Sequence, residues 1–137
     1  MAHADDMGRR QARAFVERYG RAWESWDFAG FVDLFSDGVV YVAHATTEAV
    51  TGREALAAYV RAEAADQGEA TVRMGKPVID GAHVAAEFWV TRTSDGEDWT
   101  TAGCFVARLG PDGRCNRFRE YWFDVEGHTE AYDGWGE

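Results

Sequence analysis

The sequence has little of what marks several common functional classes. No Lys/Arg cluster is present, and 24 acidic residues against 14 basic ones give a formal charge of −10. Because such a field repels a phosphate backbone, the sequence predicts no nucleic-acid partner. The longest apolar run, VVYVAHA, is far shorter than the roughly 20 residues of a membrane span, and the N-terminus does not resemble a signal peptide. We therefore expect a cytoplasmic protein with no membrane partner.

Cysteine is scarce as well. Cys104 and Cys115 are too few for a disulfide framework or a metal cage, so we expect reduced structural thiols. His83 and His128 are expected to be solvated, and the scattered histidines have no acid at ligand spacing. The sequence thus predicts no metal site.

Aromatic residues, in contrast, are abundant. They make up 14% of the 137 residues, within a hydrophobic content of 46%. This composition indicates a folded chain, long enough for one domain with a single core. We expect residues 1–137 to form that domain, with a flexible N-terminus over 1–8 and a polar tail over 127–137.

The order of patterns predicts helices first and strands afterwards. Apolar residues at three- and four-residue spacing indicate a helix from Arg9 to Glu24, Asp27 is placed to cap a short helix over 28–36, and an Ala-rich helix over 52–67 should stop at Gly68. A strand is expected over 38–45. Four more strand patterns follow, joined by the turn sequences DGAH, SDGED and GPDG. This order implies an α+β domain with helices on one face of a curved antiparallel sheet.

The run FREYWF (118–123) raises the question of why a carboxylate shares a strand face with aromatic residues. Phe118, Glu120 and Trp122 alternate onto one face. A two-residue turn at Pro111-Asp112 would place Gly103 opposite Glu120, on the face that packs against the helices, and leave space beside the acid. A carboxylate there loses hydration, which raises its pKa towards the acid/base range. It could instead be a structural acid satisfied by Tyr19, His44 or a backbone amide, or be turned outward by a bulge.

The segments RYGRAW, LFSDGVVYVAHA, GREALAAYV and FREYW, together with the order of elements, resemble the nuclear transport factor 2-like (NTF2-like) superfamily, whose fold is also called cystatin-like. They are most similar to its ketosteroid isomerase and SnoaL-like polyketide cyclase branch. The resemblance implies a cone-shaped barrel, with the sheet wrapped around three N-terminal helices and one apolar pocket. Homodimers commonly form through the outer sheet face, which here would use Trp89, Tyr121 and Arg119.

The resemblance also implies roles for particular residues. Tyr19 matches an oxyanion-hole tyrosine and Trp122 a pocket tryptophan, but the two catalytic aspartates of ketosteroid isomerase fall on Ala43 and Phe105. An authentic ketosteroid isomerase is therefore not expected. The final-strand base of the SnoaL-type cyclases is also displaced, with Asp124 one step beyond it, whereas the acid in the last strand of limonene epoxide hydrolase aligns with Glu120.

These observations predict a cofactor-independent enzyme acting on a small hydrophobic carbonyl or epoxide substrate. The expected catalytic residues are Glu120 as proton shuttle, Tyr19 polarising oxygen and His44 assisting, although a helix tyrosine can also be core and a lone histidine is often a surface residue. The expected substrate-binding residues are Trp23, Tyr41, Tyr59, Phe88, Phe105, Phe118 and Trp122. A non-catalytic module that binds a hydrophobic ligand, or a dimeric scaffold, is the alternative.

Overall fold

The computed structural model describes the backbone of residues 2–137 and the side chains from Asp6 onward. Within this range the helices are α1 (Ala2–Ser25), α2 (Phe28–Val32) and α3 (Arg53–Ala64). The strands are β1 (Phe35–Val42), β2 (Val50–Thr51), β3 (Gln67–Met74), β4 (Val78–Asp80), β5 (His83–Ser94), β6 (Glu97–Leu109) and β7 (Cys115–Glu126). The predicted α+β class, with helices before most strands, is confirmed.

The strands form one curved, unclosed sheet in the order β2-β1-β7-β6-β5-β3, with β4 also paired to β5. All pairs are antiparallel except β1 with β7, which run parallel. No hairpin could join those two strands, because a hairpin turn connects only antiparallel neighbours. This parallel pair brings the first strand beside the last and fixes one wall of the domain.

Helix α1 packs its apolar stripe against the inner face of the sheet. Ala12, Phe15, Val16 and Tyr19 recur at helical spacing and are all buried. The helix begins at Ala2 rather than at Arg9, so it includes most of the segment that the sequence predicts to be flexible; Met1 lies outside the described residues. None of the described helices combines the length and apolarity needed to cross a membrane.

The third helix ends earlier than the sequence predicts. It stops at Ala64, and Gly68 lies in β3 instead of ending the helix. A Cβ at Gly68 would collide with the side chain of Thr93 on β5, so glycine permits a close approach of the two strands there. The single strand predicted over 70–80 is also two strands, β3 and β4, which both pair with β5.

The register between β6 and β7 differs from the predicted one by two residues. Glu120 lies opposite Phe105, and Gly103 lies opposite Trp122. The connection is longer than the assumed two-residue turn and contains a register shift next to Arg108. Because strand faces alternate every residue, a shift of two keeps Glu120 on the inner face. The glycine does not leave space beside the acid, since its absent Cβ would lie 2.7 Å from the Cα of Trp122.

The C-terminal tail packs on the outer face of the sheet. Trp135 is 3% exposed, its ring centroid is 5.9 Å from that of Trp89, and the Arg73 guanidinium lies 4.9 Å from its centroid. Trp89 Nε1 donates a hydrogen bond to the Thr129 carbonyl at 2.8 Å. Its two aromatic residues, Tyr132 and Trp135, therefore do not line the inner cavity.

Candidate active site

A cavity of about 210 Å³ lies between the helices and the inner face of the sheet. Its aromatic wall comes from α1, α2 and the turn between them, and from β1, α3 and β7. It consists of Tyr19, Trp23, Trp26, Phe28, Phe31, Tyr41, Tyr59 and Trp122. The charged side chains on its surface are Asp27, Glu63, Arg92, Glu120 and Asp124. An apolar space with a few polar groups is the usual form of a small-molecule site.

Glu120 lies between two tyrosines in this cavity. The Tyr19 hydroxyl donates to Glu120 Oε2 at 3.2 Å, and the Tyr41 hydroxyl donates to Oε1 at 3.3 Å. The two tyrosines are 2% and 4% exposed, and the cross-strand neighbour Phe105 is fully buried. Each carboxylate oxygen thus has one phenolic donor in otherwise aromatic surroundings.

Burial dominates the acidity of this group. Burial and, to a smaller extent, the nearby Glu63 carboxylate raise the pKa of Glu120 from 4.5 to about 7, against the opposing effect of the two tyrosine hydrogen bonds. Burial followed by the charge of Glu120 raises the pKa of Tyr19 and of Tyr41 well above the usual range of tyrosine. At neutral pH the carboxyl can therefore gain or lose a proton while both phenols remain donors.

A second polar cluster lies farther along the same face. Arg92 Nε donates to Thr101 Oγ1 at 2.9 Å, its Nη1 donates to Gln67 Oε1 at 2.9 Å, and its Nη2 donates to Asp124 Oδ2 at 3.1 Å. Thr101 in turn donates to the other oxygen of Asp124. All four residues line the cavity. The cavity therefore has polar groups at two places, the Glu120 carboxyl and this Arg92 cluster.

The structure brings most of the predicted site residues to one cavity, but not all. Trp23, Tyr41, Tyr59 and Trp122 line it together with the predicted catalytic pair, Tyr19 and Glu120. Phe88, Phe105 and Phe118 are fully or almost fully buried in the core and do not line it. Their inward direction was predicted correctly, but side chains from α1 cover them: Trp23 packs edge-on to Phe88, and Tyr19 packs against Phe105 and Phe118.

His44 does not join this group. It is exposed and outside the inner cavity, with its ring centroid 4.6 Å from that of Trp122. Trp122 Nε1 donates to the Ala43 carbonyl at 3.1 Å, which holds the indole between the imidazole and the cavity. The imidazole makes no hydrogen bond to Glu120, Tyr19 or Tyr41, although it lines a second, outer hollow together with Glu120 and Trp122.

Sequence reasoning missed two parts of the site. Tyr41 was predicted only as a wall residue, and its bond to Glu120 depends on the parallel pairing that places it beside Phe118. Arg92 was not singled out at all. Its signal was available, because it follows Phe88 and Val90 on the inner face of β5 by simple alternation.

Metal ligation has no candidate in the part of the chain that the structure describes. Among those residues no three His, Cys, Asp or Glu side chains are grouped so that they could hold a metal ion. The two cysteines are free; Cys104 is half-buried and Cys115 is buried.

Helices packed on a curved sheet around one aromatic cavity define the class of the protein, an NTF2-like α+β domain. The model of the SnoaL-like domain matches residues 16–118, which is well over half of the chain. The protein belongs to the SnoaL-like family. No curated protein sequence matches the chain significantly.

Several solved structures share the fold. A proposed scytalone dehydratase from Novosphingobium aromaticivorans has a TM-score of 0.80 at 14% identity, over 100% of this chain and 99% of the other. SalBIII, an epoxide hydrolase/cyclase-like enzyme of pyran ring formation in salinomycin, has a TM-score of 0.76 at 19% identity, over 87% and 98%. An epoxide hydrolase of the limonene epoxide hydrolase-like type from M. tuberculosis has a TM-score of 0.71 at 23% identity, over 83% and 84%. At these identities the likeness establishes the fold and leaves the reaction open.

Proposed function

We propose that the protein is a cofactor-independent acid/base enzyme that acts on a small, neutral carbonyl or epoxide compound. One observation carries this proposal: a half-buried carboxyl, Glu120, faces a ligand-sized cavity with its pKa raised to about 7. A group that titrates near the working pH is the most effective proton carrier. A purely structural acid would need neither the cavity nor this acidity.

In the proposed reaction the Glu120 carboxylate takes a proton from the substrate. For a ketone the proton leaves the carbon next to the carbonyl, and Glu120 then returns it to the enolate. For an epoxide it leaves the water whose oxygen bonds to a ring carbon as that carbon's bond to the ring oxygen breaks, and Glu120 returns it to the alkoxide. Once protonated, Glu120 is a weaker acceptor, so the hydroxyls of Tyr19 and Tyr41 can turn to the oxygen on which negative charge develops. Both phenols lie within hydrogen-bond distance of the carboxyl, at 3.2 and 3.3 Å. Proton transfers of this kind need only side chains.

The size and charge of the cavity limit the substrate. A volume of about 210 Å³ is below the roughly 300–1,000 Å³ of typical drug-sized pockets, which favours a compound of one or two rings. The acids Asp27, Glu63, Glu120 and Asp124 outnumber the single cation, Arg92. Because this excess disfavours an anion, we expect a neutral substrate.

The family resemblance is consistent with a catalytic carboxyl at position 120, which differs from both aspartate positions of ketosteroid isomerase. The two positions that carry aspartate in ketosteroid isomerase hold the buried residues Ala43 and Phe105 here. Glu120 pairs directly across the sheet with Phe105. Glu120 on β7 is thus the cross-strand neighbour of the β6 position that holds an aspartate in the isomerase. It is also hydrogen-bonded to Tyr19.

Isotope exchange tests the proposal without knowledge of the natural substrate. We expect the protein to accelerate hydrogen–deuterium exchange beside the carbonyl of 1-tetralone in D2O, by about 100-fold or more over buffer, measured by NMR. The rate should rise with pH through a midpoint near 7, because the base is the ionised form of Glu120. Opening of styrene oxide in 18O-labelled water tests the epoxide branch. If the compounds bind but neither reacts, the protein is a non-catalytic binding module.

We further propose a homodimer through the outer face of the sheet. Phe123 is 81% exposed, and its outer-face neighbours Tyr121 and Val125 are also exposed. Since the tail packs against Trp89 and leaves it half-buried, the contact should centre on β7, with Arg119 at its border. Sedimentation should give the mass of two chains, and Phe123→Asp should give one; a monomeric wild-type protein would contradict this.

A further inference from the structure

Arg92 is an unusual residue for the inner face of a sheet. Its side chain is 14% exposed, and its three visible hydrogen bonds go to Thr101, Gln67 and Asp124. A guanidinium has five N–H donors, so two of its donors have no partner among the described residues. Arg92 lines the cavity, so its remaining donors are the groups that a ligand there could use.

The position of this cluster relative to Glu120 follows from the strand register. Glu120, Trp122 and Asp124 occupy successive inner-face positions on β7, and Asp124 lies opposite Thr101. Four residues of strand separate the Cα atoms of Glu120 and Asp124 by about 13 Å. Trp122 lies between them and supplies a flat apolar wall. The arrangement suits a molecule with a polar group at each end and an aromatic or alicyclic body.

The charge of the cluster selects the kind of polar group. Asp124 pairs with Arg92 at 3.1 Å and neutralises it, while Glu63 and Asp27 add negative charge to the same cavity. A carboxylate would meet more repulsion than attraction there. A carbonyl or ether oxygen, in contrast, can accept from a guanidinium at no electrostatic cost.

We propose that Arg92, held by Asp124, Gln67 and Thr101, is a specificity-determining residue that binds a neutral oxygen acceptor at the end of the substrate remote from Glu120. The inference rests on the proposed function, because it concerns the same cavity. The substrate class becomes narrower: a bifunctional oxygenated ring compound, with the reacting group at Glu120 and a second carbonyl or ether oxygen at Arg92. The role is in binding and orientation, and no proton passes through Arg92.

Binding of three naphthalenes tests this role without turnover. The probes are 2-naphthol, 6-hydroxy-2-naphthaldehyde, which adds a neutral acceptor, and 6-hydroxy-2-naphthoate, which adds an anion. We expect the aldehyde to bind about tenfold more tightly than 2-naphthol, as one hydrogen bond to a charged donor implies, and the carboxylate to bind more weakly than the aldehyde. Calorimetry measures the affinities, with quenching of the cavity tryptophans as a second readout.

Variants separate this role from a structural one. Arg92→Met should bring the affinity ratio of aldehyde to 2-naphthol close to one, whereas Arg13→Met, on the exposed face of α1, should leave it at about ten. If Arg92→Met does not fold, Asp124→Asn still tests the inference, because it keeps the side-chain volume and removes only the neutralising charge. It should make 6-hydroxy-2-naphthoate bind about tenfold more tightly than it binds the wild-type protein.

The possible failures are distinguishable. Equal binding of the aldehyde and 2-naphthol to the wild-type protein, or a preference that persists in Arg92→Met, would overturn the role of Arg92 and leave Glu120 untouched. Failure of all three naphthalenes to bind would overturn the assignment of the cavity, and with it the proposed function.

Discussion

Glu120→Gln is expected to lower the rate of 1-tetralone exchange by about 100- to 10,000-fold, the usual contribution of a positioned acid or base. Glutamine has almost the same shape and can keep contacts with Tyr19 and Tyr41, but it cannot carry the proton. The loss should appear in kcat rather than in binding, since the cavity wall is unchanged. NMR exchange rates at saturating ketone measure it.

The matched control for this variant is Glu126→Gln. Glu126 is an exposed acid on the same strand and does not line the cavity. We expect it to keep the wild-type rate within about threefold. Equal activity of Glu120→Gln and the wild-type protein would show that another group moves the proton, and the catalytic assignment of Glu120 would then be wrong.

The same substitution is expected to change how stability depends on pH. The folded protein holds the proton of Glu120 up to a pKa of about 7, whereas the unfolded chain releases it near 4.5. Between these values the folded state binds more protons than the unfolded state, so the wild-type protein loses stability as pH rises. The stabilising contribution of the protonated form is complete below pH 4.5 and is lost through pH 7. This difference in the pKa of Glu120 between the folded and unfolded states corresponds to about 3 kcal/mol in the free energy of unfolding.

Because glutamine stays neutral, Glu120→Gln should not show this loss. We expect its free energy of unfolding, relative to the wild-type protein, to rise by about 2.5 kcal/mol between pH 5 and pH 8. Urea unfolding at several pH values measures the difference in free energy of unfolding between the variant and the wild-type protein. The contributions of the other ionisable groups cancel in this difference. Glu126→Gln again serves as the control, and a difference for Glu120→Gln that does not change with pH would mean that the carboxyl is hydrated in the folded state.

Local pattern was sufficient to predict the main architecture. Apolar spacing placed α1 and its buried Tyr19, and hairpin turns placed the long strands β5, β6 and β7. The inward direction of Glu120 survived an error of two residues in register, because the side-chain alternation of a strand has a period of two. The desolvated position of the Glu120 carboxyl, which depends only on the strand face that the side chain occupies, was therefore predictable.

Contacts between distant segments were not predictable in the same way. The bond from Tyr41 to Glu120 needs β1 beside β7, a parallel pairing that no turn sequence encodes. The core positions of Phe88, Phe105 and Phe118 depend on how deeply α1 sits, which strand alternation does not report. The strand predicted over 38–45 ends at Val42 in the structure, and the exposed position of His44 beyond it became clear only from the folded chain.

The pKa of Glu120 is determined by residues from the whole domain rather than by its own strand alone. Its two phenolic partners are 101 and 79 residues away in sequence, on the first helix and the first strand. Water leaves the carboxyl only when the opening and closing segments of the chain have met. Its raised pKa consequently reports completed folding. In a partly folded form with β7 detached, Glu120 would titrate as an ordinary glutamate, and the protein would lack a base with a pKa near 7.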